Sequence, residues 1–173
     1  MSFSLYAATI PSNIQVLRAV AGLLDKAEAF CGERGIAADD IIQARLAADM
    51  FPFAYQVKSC AVHSQGAIDA VKVGTFSPDM IPPPTDFPGL KAKVADAIAA
   101  LEAIDPAEID GLIGKDMRFA FGSGGMDFTV ENFLLSFSQP NFYFHATTTY
   151  NILRWKGISI GKRDFIGSPR LKA

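Results

Sequence analysis

The chain has 173 residues, half of them hydrophobic and a fifth charged, which is enough for one domain with a substantial core and too few for two comfortable ones. A formal net charge of −2 and a pI of 5.6 provide no electrostatic footprint for a nucleic-acid backbone or an anionic membrane surface. No segment approaches the ~20 apolar residues of a membrane span and the start from Met1 to Pro11 lacks a secretory signal pattern, so the chain reads as cytoplasmic, with Cys31 and Cys60 as free thiols at no zinc or redox spacing.

Ser12 followed by Gln15 forms a capping-box pattern, and Leu17, Val20, Leu24 and Ala27 then recur at helical spacing until Gly32 and Gly35. This predicts a first helix over about 12–33, with Cys31 as a buried small hydrophobe. Ile41, Ile42 and Leu46 suggest a short helix. Pro52 suits a first helical position, and a second helix is expected from there to about Val73. Its face around His63 carries Gln56, Ser59, Cys60, Gly66, Ala67 and Ala70, while Lys58, Gln65 and Lys72 are expected on the solvent side. Small residues beside a histidine allow either a tight helix crossing or room for a ligand. Cys60, one turn before His63, could bring a thiol to an imidazole, although a buried core cysteine explains it as well.

Thr75 to Pro88 is rich in proline and is expected to cross the surface without regular structure, as a lid or as a fixed spacer. Asp86 and Pro88 then open a third helix, over about 88–103, with Leu90, Val94, Ala97, Leu101 and Ile104 as its inward stripe. Asp105 caps a short turn. From Met117 the period becomes two, Gly122 to Gly125 turns the chain, and Met126, Phe128 and Val130 alternate again, which predicts one β-hairpin over about 117–130. No lysine follows the glycines at P-loop spacing, so they read as a turn and not as a phosphate cradle.

A short helix from about Glu131 to Ser138 leads to Pro140, and a fourth helix is expected over about 140–156, closed by Gly157 with Ile158 beyond it. At 100° per residue, Asn141, Thr149 and Ile152 lie within about 40° of His145, while Tyr143, Thr147, Tyr150 and Arg154 face the other way. His145 therefore points inward. A single inward histidine is most simply a satisfied core residue, but the chain's only two histidines both fall on inward faces, which favours a shared pocket.

The segments Asp49 to Pro52, Val62 to Ser64, Pro84 to Lys91, Pro140 to His145 and Gly161 to Phe165 together resemble the bacterial family called domain of unknown function 1993. The resemblance covers nearly the whole chain and places it with the DinB and YfiT-like superfamily. It implies a mainly α, DinB-like four-helix bundle, commonly dimeric, with three inward histidines that hold a divalent metal in many members. It implies no activity. Carried over position by position, the histidines fall on His63 and His145, and the third falls on Thr149. Zinc or nickel bound through His63 and His145 would thus need Cys60, Asp49 or solvent to complete its shell.

Two functional readings follow. In one, a small-molecule pocket between helices two and four uses His63 and His145 as proton carriers or ligands, with Gln56, Ser59, Cys60, Asn141 and Thr149 lining it and metal-assisted or thiol chemistry as the options. In the other, a metal-free bundle acts as a binding or interaction module. An apolar composition with 14 phenylalanines further suggests a homodimer through bundle helices, with Tyr143 and Tyr150 as contributors unless the proline-rich loop and the tail cover that face.

Overall fold

The hydroxyl of Ser4 accepts a hydrogen bond from the Ala7 amide (3.2 Å) and starts α1 (Leu5–Arg34) in a computed structural model that describes residues 4–172. The expected start at Ser12 is thus two turns late. Pro11 lies inside the helix and deprives the Ala7 carbonyl of its donor. Burial of Leu5, Thr9 and Ile10 outweighs that loss, and the orphan amide of Tyr6 finds the Asp110 carboxylate at 2.9 Å. Ser12 instead accepts from the Arg170 guanidinium (3.2 Å).

After α2 (Asp39–Ile42), the second long helix, α3, runs without interruption through Phe53–Ala61, a π-helical turn at Val62–Gly66, and Ala67–Val73. The strand β1 (Thr75–Phe76) comes next, followed by α4 (Phe87–Glu102), capped by Asp86 through the Gly89 amide at 2.8 Å, and α5 (Pro106–Asp110). A hairpin of β2 (Asp116–Phe121) and β3 (Gly124–Thr129) precedes the last long helix. Its register sets Ala120 opposite Gly125, where a Cβ would stand 2.8 Å from both the Phe119 carbonyl and the Arg118 guanidinium, so only glycine fits.

The Thr75–Pro88 crossing is not wholly irregular. Thr75 and Phe76 pair in parallel with Arg118 and Phe119, which extends the hairpin to a three-stranded sheet in the order β1-β2-β3. A partner some 40 positions later leaves no local trace in a two-residue strand. The fourth helix also differs from expectation. α6 is continuous through Val130–Asn132, a π turn at Phe133–Ser138, and Gln139–Trp155. The Gln139 amide reaches back five residues to the Leu134 carbonyl, and this widened turn accommodates Pro140, which has no amide to give and would crowd a normal turn.

The four long helices form a bundle in the cyclic order α1, α4, α3, α6, around Leu17, Leu24, Phe53, Val57, Leu90, Phe142 and Leu153. Gly157 adopts the left-handed conformation (φ 88°), and the Ile158 amide closes on the Leu153 carbonyl at 3.1 Å, completing the end of α6. The tail turns back as α7 (Lys162–Ile166), held to α1 by Lys26 and Asp164 (2.6 Å) and by Gln15 on the Ile166 carbonyl (2.9 Å). Phe165 meets the Tyr150 ring edge-on at 6.0 Å. Tyr150, proposed from the sequence as a dimer contact, is thus covered by the chain's own tail. None of the described helices is long and apolar enough to cross a membrane.

Candidate functional site

α3 and α6 pack side by side, and the sheet edge with Phe76 and Phe119 closes one end of the groove between them. The result is a cavity of about 210 Å³. His63 comes from the π turn of α3 and His145 from the regular part of α6 that follows its own π turn. Their rings lie 5.5 Å apart between centroids, tilted by only 16°. Phe76 and Phe137 flank His63, and Tyr55 and Phe144 meet His145 edge-on. His63 lies at the start of the π turn, directly after the regular turns of Phe53–Ala61 that set its facing. The His63 carbonyl accepts from the Ser138 hydroxyl at 2.8 Å, and Ser138 closes the π turn of α6.

The tautomer of His145 follows from its neighbour. The Gln56 amide nitrogen donates to the Phe51 carbonyl at 2.9 Å, and a carbonyl can only accept, so the side chain has one possible orientation. Its Oε1 then faces His145 Nδ1 at 2.7 Å, and Nδ1 must carry the hydrogen. In the neutral ring this leaves Nε2 with its lone pair. Burial pushes His145 down to about 4, and burial together with the neighbouring His145 pushes His63 down to about 4 as well. Both rings are neutral at pH 7. His63 Nδ1 is buried without a hydrogen-bond partner among the described residues.

The other expected residues divide into two groups. Ser59 and Asn141 line the cavity with the histidines. Gln56, Cys60 and Thr149 do not, because they form the layer behind the wall. The Cys60 thiol is fully buried, donates to the Gln56 carbonyl at 3.2 Å, and is pushed up to about 12 by burial, so the thiol–imidazole pairing expected from Cys60 and His63 does not form. Thr149 Oγ1 is buried with no hydrogen-bond partner of normal geometry among the described residues, although its side chain lies close enough to Cys60 to oppose that rise.

A divalent metal, which the resemblance implies, does not fit this donor set. A catalytic zinc shell takes three protein ligands and an open position. Here there are only two imidazoles, each able to give one nitrogen. Thr149 replaces the third, Cys60 is turned into the core, and Asp49 is exposed on the α2–α3 connection. Among the described residues no three or more His, Cys, Asp or Glu side chains gather where they could hold an ion.

Sequence reasoning missed Lys58 and Asp79. Lys58 stands about 140° around α3 from His63 and was expected in solvent. Its side chain is 3% exposed, and the ammonium is shared among the Asp79 carbonyl (2.9 Å), the Ile81 carbonyl and the Asp79 carboxylate (3.2 Å). The proline-rich loop thus folds over Lys58, bringing Pro78 and Asp79 to the cavity rim. A lone lysine on a helix followed by a proline-rich stretch carries no signal of such a clasp. Phe119 was legible as an inward strand position, but its place in the cavity depends on the pairing with β1.

A DinB family member protein from Shewanella denitrificans has a solved structure similar to this one, with a TM-score of 0.82 and 27% identity over 98% of this chain and 95% of that one. No curated protein matches the sequence. The family model for a domain of unknown function, DUF1993, matches residues 5–166. With that match spanning nearly the whole chain, and a DinB family protein sharing its fold, the chain belongs to the DUF1993 family.

Proposed function

We propose that the cavity between α3 and α6 binds a small molecule, which His145 and His63 recognise as neutral imidazoles with Ser59 and Asn141 as further polar contacts. The observation that carries this reading is the bridge from the Phe51 carbonyl through Gln56 to His145 Nδ1, because it spends a buried glutamine on fixing one tautomer. A histidine that only filled core space would not need its second nitrogen kept free. With both rings pushed down to about 4, neither carries the second, acidic proton of an imidazolium at neutral pH. Proton acceptance or hydrogen bonding at His145 Nε2 is the role the arrangement supports. The test is a screen of small neutral, anionic and cationic molecules against the protein with labelled histidines. Ligands that move both histidine signals are expected, and a complete set of millimolar probes that leaves both signals in place would reject the pocket.

A second reading, a metal-free bundle that pairs with another copy, is favoured by the exposure of Phe51 ahead of α3 and of Tyr143 and Phe144 on α6. Light scattering at micromolar concentration discriminates: twice the 18.6 kDa chain mass supports a dimer, and the single mass rejects it.

A further inference from the structure

We infer that the pocket selects neutral, ring-sized molecules that carry a hydrogen-bond donor, such as a phenolic hydroxyl, a reading that rests on the small-molecule pocket proposed above. Size comes first. At about 210 Å³ the cavity is below the usual range of drug-sized sites, roughly 300–1,000 Å³, whereas an apolar cavity of roughly 150 Å³ takes benzene. One ring and a substituent fill it. The wall suits a ring: Phe76 and Phe137 beside His63, with Phe119 packed on both, provide a continuous aromatic surface in the lining.

Polarity comes next. His145 commits Nδ1–H to Gln56 and so offers Nε2 as an acceptor. Asn141 donates through Nδ2 to the Phe137 carbonyl at 2.7 Å, which leaves its Oδ1 as an acceptor. His145 thus has its one donor tied back to the protein and only an acceptor left over, with the Asn141 oxygen as a second acceptor, and at His145 the lining favours a guest that gives a hydrogen. Charge is the third constraint. Among the described residues, the only cation in the lining is Lys58, whose three hydrogens are taken by two loop carbonyls and Asp79. Asp79 is likewise the only lining carboxylate among them, and Lys58 neutralises it. An anion finds no free cation in this lining and a cation finds no free carboxylate, so either would lose hydration without a partner.

The experiment compares phenol, anisole and benzoate on the full chain by titration, following the histidine nitrogen signals. Anisole keeps the ring and the oxygen but has no hydrogen to give. Phenol is expected to bind about tenfold more tightly than anisole, the worth of one well-made hydrogen bond, and to shift the His145 Nε2 signal. Benzoate is expected to bind more weakly than either. The variant His145→Phe, checked for its folded spectrum, is expected to abolish the preference for phenol over anisole. Equal or tighter binding of anisole or benzoate with the same histidine shifts would overturn the donor class and leave the pocket standing. Shifts at neither histidine with any of the three would overturn both.

Discussion

Replacing Lys58 by Met tests the clasp that holds the proline-rich loop over the cavity. Methionine keeps the unbranched stem in the helix and removes all three donors. Charge-assisted hydrogen bonds are worth roughly 1.5–3 kcal/mol each, and here two reach loop carbonyls while a third contact reaches the Asp79 carboxylate. Set against that is the ammonium's burial, which costs several kcal/mol in its own right and disappears in the variant. Asp79 keeps 22% of its side-chain surface exposed and can turn to water when its partner is gone. The net loss should therefore be about 1–2 kcal/mol, and it should fall on the loop more than on the bundle. That corresponds to a roughly 5–30-fold rise in the open population of residues 77–86. Hydrogen exchange at the Ile81 amide, which bonds the Asp79 carboxylate at 2.9 Å, reads this directly. Unchanged exchange at Ile81 together with an unchanged urea midpoint would show that the clasp holds nothing, and the loop's position would need another cause.

Because both histidines are pushed below their ordinary value of 6.5 to about 4, the unfolded chain binds more protons than the folded one between those limits. Stability should be full above about pH 6.5 and fall by a few kcal/mol as the pH drops to 4, each histidine contributing at most about 1.4 kcal/mol for every pH unit crossed and less where solvent reaches the ring. Urea midpoints against pH measure this, and a flat profile over that window would count against buried neutral rings. Ser138→Ala should cost about 1 kcal/mol by removing the hydroxyl's bond to the His63 carbonyl, and it should move the His63 signal more than the His145 signal; a shift confined to His145 would refute the link between the π turns. Cys60 should resist alkylation in the native protein and react only on unfolding, and rapid labelling at pH 8 would show the thiol to be accessible.

Much of the bundle was legible because its signals are local. Asp86 with Pro88, the alternation on either side of Gly122 to Gly125, and Gly157 with Ile158 each act within a few residues of where they stand. The Ser12 and Gln15 pattern misled because one partner of the true helix start, Asp110, lies 104 residues from Tyr6. The facing of His63 and His145 was readable from helical period alone, since both helices keep α geometry up to or through the relevant turn. What period could not give was depth. Cys60 and Thr149 share the histidine side of their helices but sit in the layer behind, and Lys58 was assigned to solvent because the loop that buries it cannot be placed from α3.

The paired π turns make the site sensitive to chain length as well as to side-chain identity. Each turn holds one residue more than an α-helix needs, so a single-residue deletion within 62–66 or 133–138 offers the helix a simple way to become regular. Such a deletion would leave every buried side chain chemically intact. It would nevertheless close the widened turn and displace the groups it presents, the His63 carbonyl or the Ser138 hydroxyl that bonds it, from the opposite wall. Substitutions around the cavity can vary one at a time, whereas the count of residues in these two short segments is fixed by geometry. Insertions and deletions should therefore be far less tolerated there than in the connections at 35–52 or 77–86.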